Sequence, residues 1–350
     1  MTLVLGIETT CDETACAVVA DGSRVLSNVV ATQIELHQRF GGVVPEIASR
    51  AHLEAVNTVL AEALAEAGVA GPEVDAVAVA REPGLIGSLL IGLMAAKTLA
   101  WVWSRPLLAV NHIHAHAYSP TLDAEPIEYP AVALVASGGH TSLYLCRSPM
   151  ELELLGATID DAAGEAFDKV SAILELGYPG GPAIDRAARA GRADAVRFPR
   201  ALLRGQSLDF SFSGLKTAVL YHVRGIPGAI RPGAAHPEAK AGRGRLCEQE
   251  VADIAAGFQA AVVDTLRIKL RRAAKQTAAR SILLGGGVAA NSALRQAALD
   301  LGRQLRLAVR IPALKYCMDN AAMTAGLGYH LLRAGQTAGL DLDAVATVRR

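Results

Sequence analysis

Three histidines stand within five residues at His112-Ile113-His114-Ala115-His116. If this stretch is helical, His112 and His116 share one face at i, i+4 and can hold a metal ion together, while His114 points elsewhere. The plainer alternative is a set of surface histidines following a strand. A zinc peptidase is disfavoured, because no Glu lies between the pair to act as the general base that an H-E-x-x-H arrangement needs. A further ligand must come from another segment, and Asp319, in Cys317-Met318-Asp319-Asn320, is the candidate because it sits at a strand-to-helix junction. Taken alone, the same position reads better as a helix N-cap, given that it precedes the helical pattern. Two imidazoles and one carboxylate with open positions fit Fe(II) or Zn(II), and ligand type does not separate them.

Two glycine runs carry a second kind of chemistry. Val135-Ala136-Ser137-Gly138-Gly139-His140-Thr141 is a strand ending in a hydroxyl and two glycines, the pattern by which backbone N–H groups approach phosphate oxygens, or else a plain hairpin. Gly285-Gly286-Gly287 follows the strand-like Ser281–Leu284, with Asn291 opening the next helix. Three glycines at a strand end weaken the strand unless something approaches the backbone closely, which favours ligand contact. Neither run is followed by Lys-Ser/Thr, which excludes a P-loop ATPase. Asp161, Glu165 and Asp168 fall at i, i+4 and i+7, three acids on one helix face that bind hydroxyls or a cation, or are simply solvated. Gly177-Tyr178-Pro179-Gly180-Gly181-Pro182 reads as a compact turn with Asp185 beginning the helix after it, and Phe210 to Thr217 as a buried loop or a substrate wall.

The elements that hold these residues repeat. Leu3–Ile7, Ala15–Ala20 and Arg24–Ala31 read as a three-strand meander, and Ala131–Ala136, Ser142–Cys146 and Glu151–Ala157 have the same grammar. After the first meander the pattern is helix (Ile47–Ala67), strand (Asp75–Ala80), helix (Ser88–Trp103) and strand (Leu107–Val110). After the second come long helices, strand Ser281–Leu284, helix Asn291–Leu301, strand Leu307–Ile311 and helix Asn320–Ala334. This predicts an α/β protein of two duplicated lobes facing a central cleft, each offering a polar hairpin turn to it. The boundary falls in the proline-bearing stretch Ser119–Pro130, which divides the chain into residues 1–125 and 126–350, with a helical insertion over about 158–250. Gly225–Arg245, rich in Gly, Ala, Pro and Arg, reads as an exposed insertion.

Composition narrows the classes. With 350 residues, 51% of them apolar, the chain suffices for two packed domains and is not a disordered protein. Lys plus Arg and Asp plus Glu both total 34, so any nucleic-acid contact is local rather than the work of a general basic field. Five cysteines without a C-x-x-C pair argue for reduced thiols. The apolar run Leu89–Trp103 is broken by Lys97 and is shorter than the roughly 20 residues of a membrane span. With no signal-peptide pattern at the start, the expectation is a cytoplasmic protein without a membrane anchor.

Taken together these segments resemble the TsaD family of tRNA N6-adenosine threonylcarbamoyltransferases, older descriptions of which read "glycoprotease". The resemblance runs from about Gly6 to Gly328. It rests on Gly6 to Thr14, Gly41 to Arg50, Asn111 to His116, Ser137 to Thr141, Asp160 to Lys169, Gly177 to Pro182, Phe210 to Thr217, Gly285 to Asn291 and Asp319 to Met323. What it implies is an actin/Hsp70/sugar-kinase type of fold whose cleft takes threonylcarbamoyl-AMP and passes its acyl group to N6 of adenosine 37 in tRNAs reading codons that begin with A. It further implies that His112, His116 and Asp319 bind one divalent metal, iron(II) or alternatively zinc(II). Val135, Ala136, Ser137, Gly138, Gly139, Asp168, Gly181, Asp185 and Asn291 would hold the adenylate. Glu8, Asp12 and Glu13, on the first-lobe turn, are the candidates for the catalytic group, with the general base unassigned.

The resemblance also implies partners: tRNA, a TsaB-type paralogue of the same fold and a TsaE-type P-loop ATPase. The Ala-rich helices Ile47–Ala67 and Ser88–Trp103 could pair with the paralogue or simply cover the sheet. Arg186, Arg189, Arg192, Arg197, Arg200 and Arg204, with a second basic stretch from Arg267 to Arg280, could meet tRNA phosphates or be solvated helix faces. The sequence departs from the family pattern at Ala80-Arg81-Glu82-Pro83-Gly84, where Glu82 replaces a flexible glycine, at Met318, where Thr or Ser is usual, and in the length of 225–245. A kinase or ATPase of the same fold is the alternative, and it leaves the His pair and Asp319 unexplained.

Overall fold

A computed structural model describes residues 1–201, 205–225 and 246–347. Arg204 and nearly all of the glycine- and arginine-rich stretch 225–245 lie outside the described residues. The first sheet opens with the antiparallel meander β1 (Leu3–Glu8), β2 (Glu13–Ala20) and β3 (Arg24–Thr32). A short helix α1 (Ile34–Gln38) and the long α2 (Pro45–Ala67) lead to β4 (Ala76–Glu82), α3 (Ile86–Val102), β5 (Leu107–Asn111) and α4 (His112–Tyr118). β4 pairs parallel to β1, and β5 parallel to β4, giving the order β3-β2-β1-β4-β5.

The second half repeats this with β6 (Ala131–Ala136), β7 (Thr141–Cys146) and β8 (Leu152–Ala157) as the meander. Four helices follow: α5 (Ala163–Ile173), α6 (Gly180–Ala188), α7 (Ser213–Arg224) and α8 (Glu248–Gln276). Then come β9 (Ser281–Gly285), α9 (Ser292–Leu305), β10 (Ala308–Arg310) and α10 (Ala321–Arg333), with the strand order β10-β9-β6-β7-β8. β1, β2, β6 and β7 are buried along their whole length, as continuous apolar strands covered on both faces must be. The outer strand β3 shows only partial burial.

The lobes exchange helices. α4 follows the last strand of the first sheet, yet Ile113 and Ala117 pack with Ala131, Val135 and Leu283 of the second. Conversely α10, from the end of the chain, puts Ala321, Ala325 and Leu327 against Val4, Ala15 and Ala78 of the first. A division between residues 125 and 126 therefore separates the sheets but not the packing units. Among the described residues no helix is long and apolar enough to cross a membrane.

Candidate functional site

The histidine stretch is helical. Asn111 caps it, its Oδ1 accepting from the N–H groups of Ile113 (3.0 Å) and His114 (3.1 Å), so α4 begins at His112 and brings the His112 and His116 rings to 4.6 Å between centroids. Asp319 lies opposite, just before α10. His116 Nε2 meets Asp319 Oδ1 at 2.9 Å and His112 Nε2 stands 3.6 Å from the same oxygen. The three ligand atoms lie within 4.8 Å of one another. Asp319 is not the helix cap: that part is played by Asn320, whose Oδ1 accepts from Met323 N at 3.0 Å, which leaves the preceding carboxylate to turn into the cleft.

The far nitrogen of His112 is held in place. Its Nδ1 lies 3.2 Å from Glu8 Oε2 and 3.3 Å from Thr10 Oγ1, while Glu8 also accepts from Thr10 N (3.0 Å) and Thr324 Oγ1 (3.1 Å). A fully buried carboxylate that fixes a ring tautomer and leaves Nε2 outward is the outer half of a carboxylate–histidine–metal arrangement. Burial alone would lower the His112 pKa, but Glu8 and Asp319 outweigh it and raise it to about 9. The same two carboxylates that favour a ring proton favour a divalent cation in its place. The donor set therefore fits the expected metal. Glu8, a catalytic candidate from sequence, is buried behind His112 and is not among the residues lining the cleft; Asp12 and Glu13 are.

The cleft between the lobes has a volume of about 1560 Å³. From the second lobe it is lined by Ser137, Gly138, Gly139, Asp168, Gly181, Asp185 and Asn291. Val135 and Ala136 do not reach it, because they lie in the buried strand β6 and support the turn from below. That turn closes through Ser137 N to His140 O (2.8 Å), and Gly164 N at the start of α5 donates to Ser137 O (3.1 Å). Asp185 sits in the middle of α6 rather than at its start, since Asp168 Oδ1 accepts from Gly180 N (2.7 Å) and starts the helix five residues earlier. Its Oδ1 accepts from Ser292 Oγ at 2.7 Å and from Asn291 Nδ2 at 3.4 Å, joining α6 to the cap of α9.

The first two glycines of the triple run are demanded by close packing, one against α4 and one against β6. Gly286 has φ +83°, and a Cβ there would strike the Ala136 carbonyl; one on Gly285 would strike the carbonyl of His116. The acids expected on one helix face are split. Asp161 precedes α5 and pairs with Lys169 and Lys216 (both 3.0 Å), Glu165 pairs with Lys169 (2.7 Å), and only Asp168 faces the cleft without a cation. Of the arginines, Arg186 and Arg189 reach the cleft. Arg200 and Arg267 pair with Asp264, Arg280 with Glu128, and Lys269 is buried against Phe210, so much of the basic sequence serves internal contacts. Sequence reading did not assign a role to His140, which lines the cleft and is held below its usual pKa, at about 4, by burial and by the nearby His112 and His116. Its place in the Ser-Gly-Gly-His turn was the available signal.

Comparison with known proteins agrees with this geometry. Residues 24–326 match the family described as TsaD, tRNA N6-adenosine threonylcarbamoyltransferase. A protein of that name from Anaeromyxobacter dehalogenans (strain 2CP-1) is 51% identical over 98% of this chain and 98% of its own length. Another from Symbiobacterium thermophilum is 51% identical over 98% of this chain and 95% of its own. Among solved structures, full-length HypF in a phosphate- and nucleotide-bound form has a TM-score of 0.60 over 96% of this chain and 47% of that one, at 13% identity. Component A of the Acidaminococcus fermentans (R)-2-hydroxyglutaryl-CoA dehydratase has a TM-score of 0.51 over 94% of this chain and 98% of that one, at 14% identity. Identities this low speak for the fold alone, which is the two-lobed actin/Hsp70/sugar-kinase type.

Proposed function

The chain belongs to the tRNA N6-adenosine threonylcarbamoyltransferase family, and from that premise we propose that its cleft passes the threonylcarbamoyl group of threonylcarbamoyl-AMP to N6 of adenosine 37 in tRNAs reading codons that begin with A. It is a transferase acting on tRNA. The observation that carries the reading is the convergence on one cleft of the His112–His116–Asp319 triad and the Gly138–Gly139, Asp185 and Asn291 group, which a kinase of the same fold does not require.

In this reading the backbone of Gly138 and Gly139 faces the donor's phosphate, with nothing but open space where their Cβ atoms would be. Asp168 and Asp185 take the ribose hydroxyls, and Asn291, pinned by Gln259 Oε1 at 2.7 Å, holds the turn beside them. His112, His116 and Asp319 would hold a divalent ion, iron(II) or zinc(II), which when bound would supply Lewis acidity beside the donor. The N6 amine attacks the carbamoyl carbon, the bond from that carbon to the phosphate oxygen breaks, and AMP leaves. The proton lost from N6 passes to a group on the cleft wall, where Asp12 and His140 stand. No covalent enzyme intermediate is needed.

A paralogue of the same fold pairs with the first lobe in this proposal. Ile86, Leu90, Met94 and Trp101 form one stripe along α3, and Trp101 is 71% and Met94 57% exposed, with Leu53 of α2 alongside at 63%. A small P-loop ATPase completes the set. The test is mass spectrometry of nucleosides from an unmodified tRNA incubated with the protein, threonylcarbamoyl-AMP and its partner proteins. Threonylcarbamoyladenosine that depends on this chain is expected, and its absence from a metal-loaded complex would sink the assignment.

A further inference from the structure

After α10 the chain returns along the free edge of the first sheet. Ala338 N donates to Leu107 O (2.8 Å) at the start of β5, and Ala338, Leu342 and Ala344 pack on the core beneath. That much covers an exposed edge. The last described residues go further. The β4–β5 register shifts between Ala80 and Glu82, and the bulge leaves the Arg81 carbonyl to accept from Val345 N at 2.9 Å. Gly84 N then donates to Ala346 O at 3.2 Å, and Leu85 N to Thr10 O at 2.9 Å. Ala346 and Thr347 thereby stand in the cleft beside Pro83, Gly84 and Leu85, on the wall facing the second lobe.

Every group assigned above to the donor stands on the second lobe, and the triad lies between the lobes. An acyl transfer needs the amine brought onto the face of the carbonyl carbon while the donor stays seated, so acceptor and donor must be held together in one geometry on neighbouring walls. We propose that the wall built by Gly84–Leu85 and Val345–Thr347 is the acceptor side, and that the C-terminal segment is a specificity element for the tRNA nucleoside that enters there. The small side chains of Ala346 and Thr347 leave room for a splayed-out nucleoside and offer it neutral backbone groups and a hydroxyl, the kind of contact by which unstacked RNA bases and riboses are read. Arg81, paired with Glu82 at 2.6 Å, stiffens the bulge that anchors the segment. The inference rests on the transfer reaction and on the donor placement proposed above.

The test is steady-state kinetics of Ala346→Trp and Val345→Pro in the complete complex, varying unmodified tRNA and threonylcarbamoyl-AMP separately, with metal content measured for each variant. Ala346→Trp is expected to raise KM for tRNA about tenfold or more, and Val345→Pro, which deletes the N–H donated to Arg81, by about three- to fivefold. KM for the adenylate and the metal content should stay within about twofold of the parent. Unchanged tRNA KM in both variants would overturn the proposal, as would a rise confined to the adenylate KM or a loss of metal. A parent complex that makes no threonylcarbamoyladenosine would instead defeat the reaction itself, and the acceptor wall with it.

Discussion

Read outward from their centres, the two sheets have the same plan, β3-β2-β1-β4-β5 and β8-β7-β6-β9-β10, and the same succession of meander, parallel strand, helix and parallel strand. Their loops at the cleft differ in kind. The first hairpin turn carries Glu8, Thr10, Asp12 and Glu13, while the equivalent turn of the second lobe is Ser137-Gly138-Gly139-His140. The loop after β4 is Pro83-Gly84-Leu85, tied to the C-terminal segment; β9 ends at Gly285 and turns through Gly286 and Gly287. The two hairpin turns thus present acids on one side and bare backbone on the other. The proposed metal ligands come from the places where the lobes are most alike: His112 and His116 follow the last strand of the first sheet, and Asp319 follows the last strand of the second. Both junctions lead into the exchanged helices α4 and α10, so a centre between the lobes is built from corresponding positions of each.

The largest effect should come from breaking that centre on one side only. His112→Ala removes a ligand and is expected to drop bound metal to background and transfer activity by more than about 100-fold, with the circular dichroism spectrum unchanged. Asn291→Ala, on the second lobe, should leave metal content intact while raising KM for the adenylate, and should cost about 1 kcal/mol through the lost cap on Leu294 N. Loss of metal in the Asn291 variant would mean that the lobes do not divide the work. Next in size is Glu8→Gln, which keeps the shape but weakens the carboxylate behind His112. Metal affinity measured by competition with a chelator should fall about 10- to 100-fold, with the adenylate site untouched.

Much of this frame was legible in the sequence, because the inner strands are unbroken apolar runs bounded by turn residues, a pattern that does not depend on the rest of the fold. The i, i+4 histidines were legible for the same reason, since one helical turn decides their geometry. What failed to show was decided by partners distant in the chain. By itself Asp319 reads better as a cap than as a ligand, and it is Asn320, one residue on, that caps α10. Asp168, coming from α5, starts α6 at Gly180 and so moves Asp185 to mid-helix. Asp161 was assigned to a helix face, yet Lys216, about fifty residues on, holds it outside the helix. Val135 and Ala136, named with the phosphate turn by the family resemblance, lie in the buried strand that leads into it. The docking of Val345 on the Arg81 bulge has no local signature at all.

The glycines allow a finer test of the same division. Gly286→Ala meets both a left-handed backbone and the Ala136 carbonyl, so a loss of about 1–3 kcal/mol in stability is expected by denaturant unfolding. Gly138→Ala meets no protein atom within contact distance. Its stability should be unchanged while affinity for the adenylate falls, because the methyl group occupies space the ligand needs. If Gly138→Ala binds the adenylate as well as the parent, the backbone of that turn is not the phosphate site.

The smallest effect should separate the helical insertion from both lobes. Asp160 accepts hydrogen bonds from Phe212 N (2.8 Å), Ser213 N (3.3 Å) and the hydroxyls of Ser211 and Ser213, holding the start of α7 against the segment after β8. Burial tends to raise its pKa, but these four bonds outweigh it and hold the carboxyl below its usual range. A carboxylate depressed in the folded state contributes stability that is complete above the unfolded pKa of about 4 and is lost as pH falls through the lower folded value. Asp160→Ala should therefore cost about 0.5–1 kcal/mol at pH 7, the low end for a lost helix cap because the carboxylate is largely exposed to solvent, and the difference from the parent should shrink as pH falls through the folded pKa. The metal content of this variant should match the parent, since no atom of Asp160 bonds to either lobe's cleft turn. A deficit that persists unchanged into acid would mean that the segment is held by packing of Phe210 and Phe212 rather than by the carboxylate.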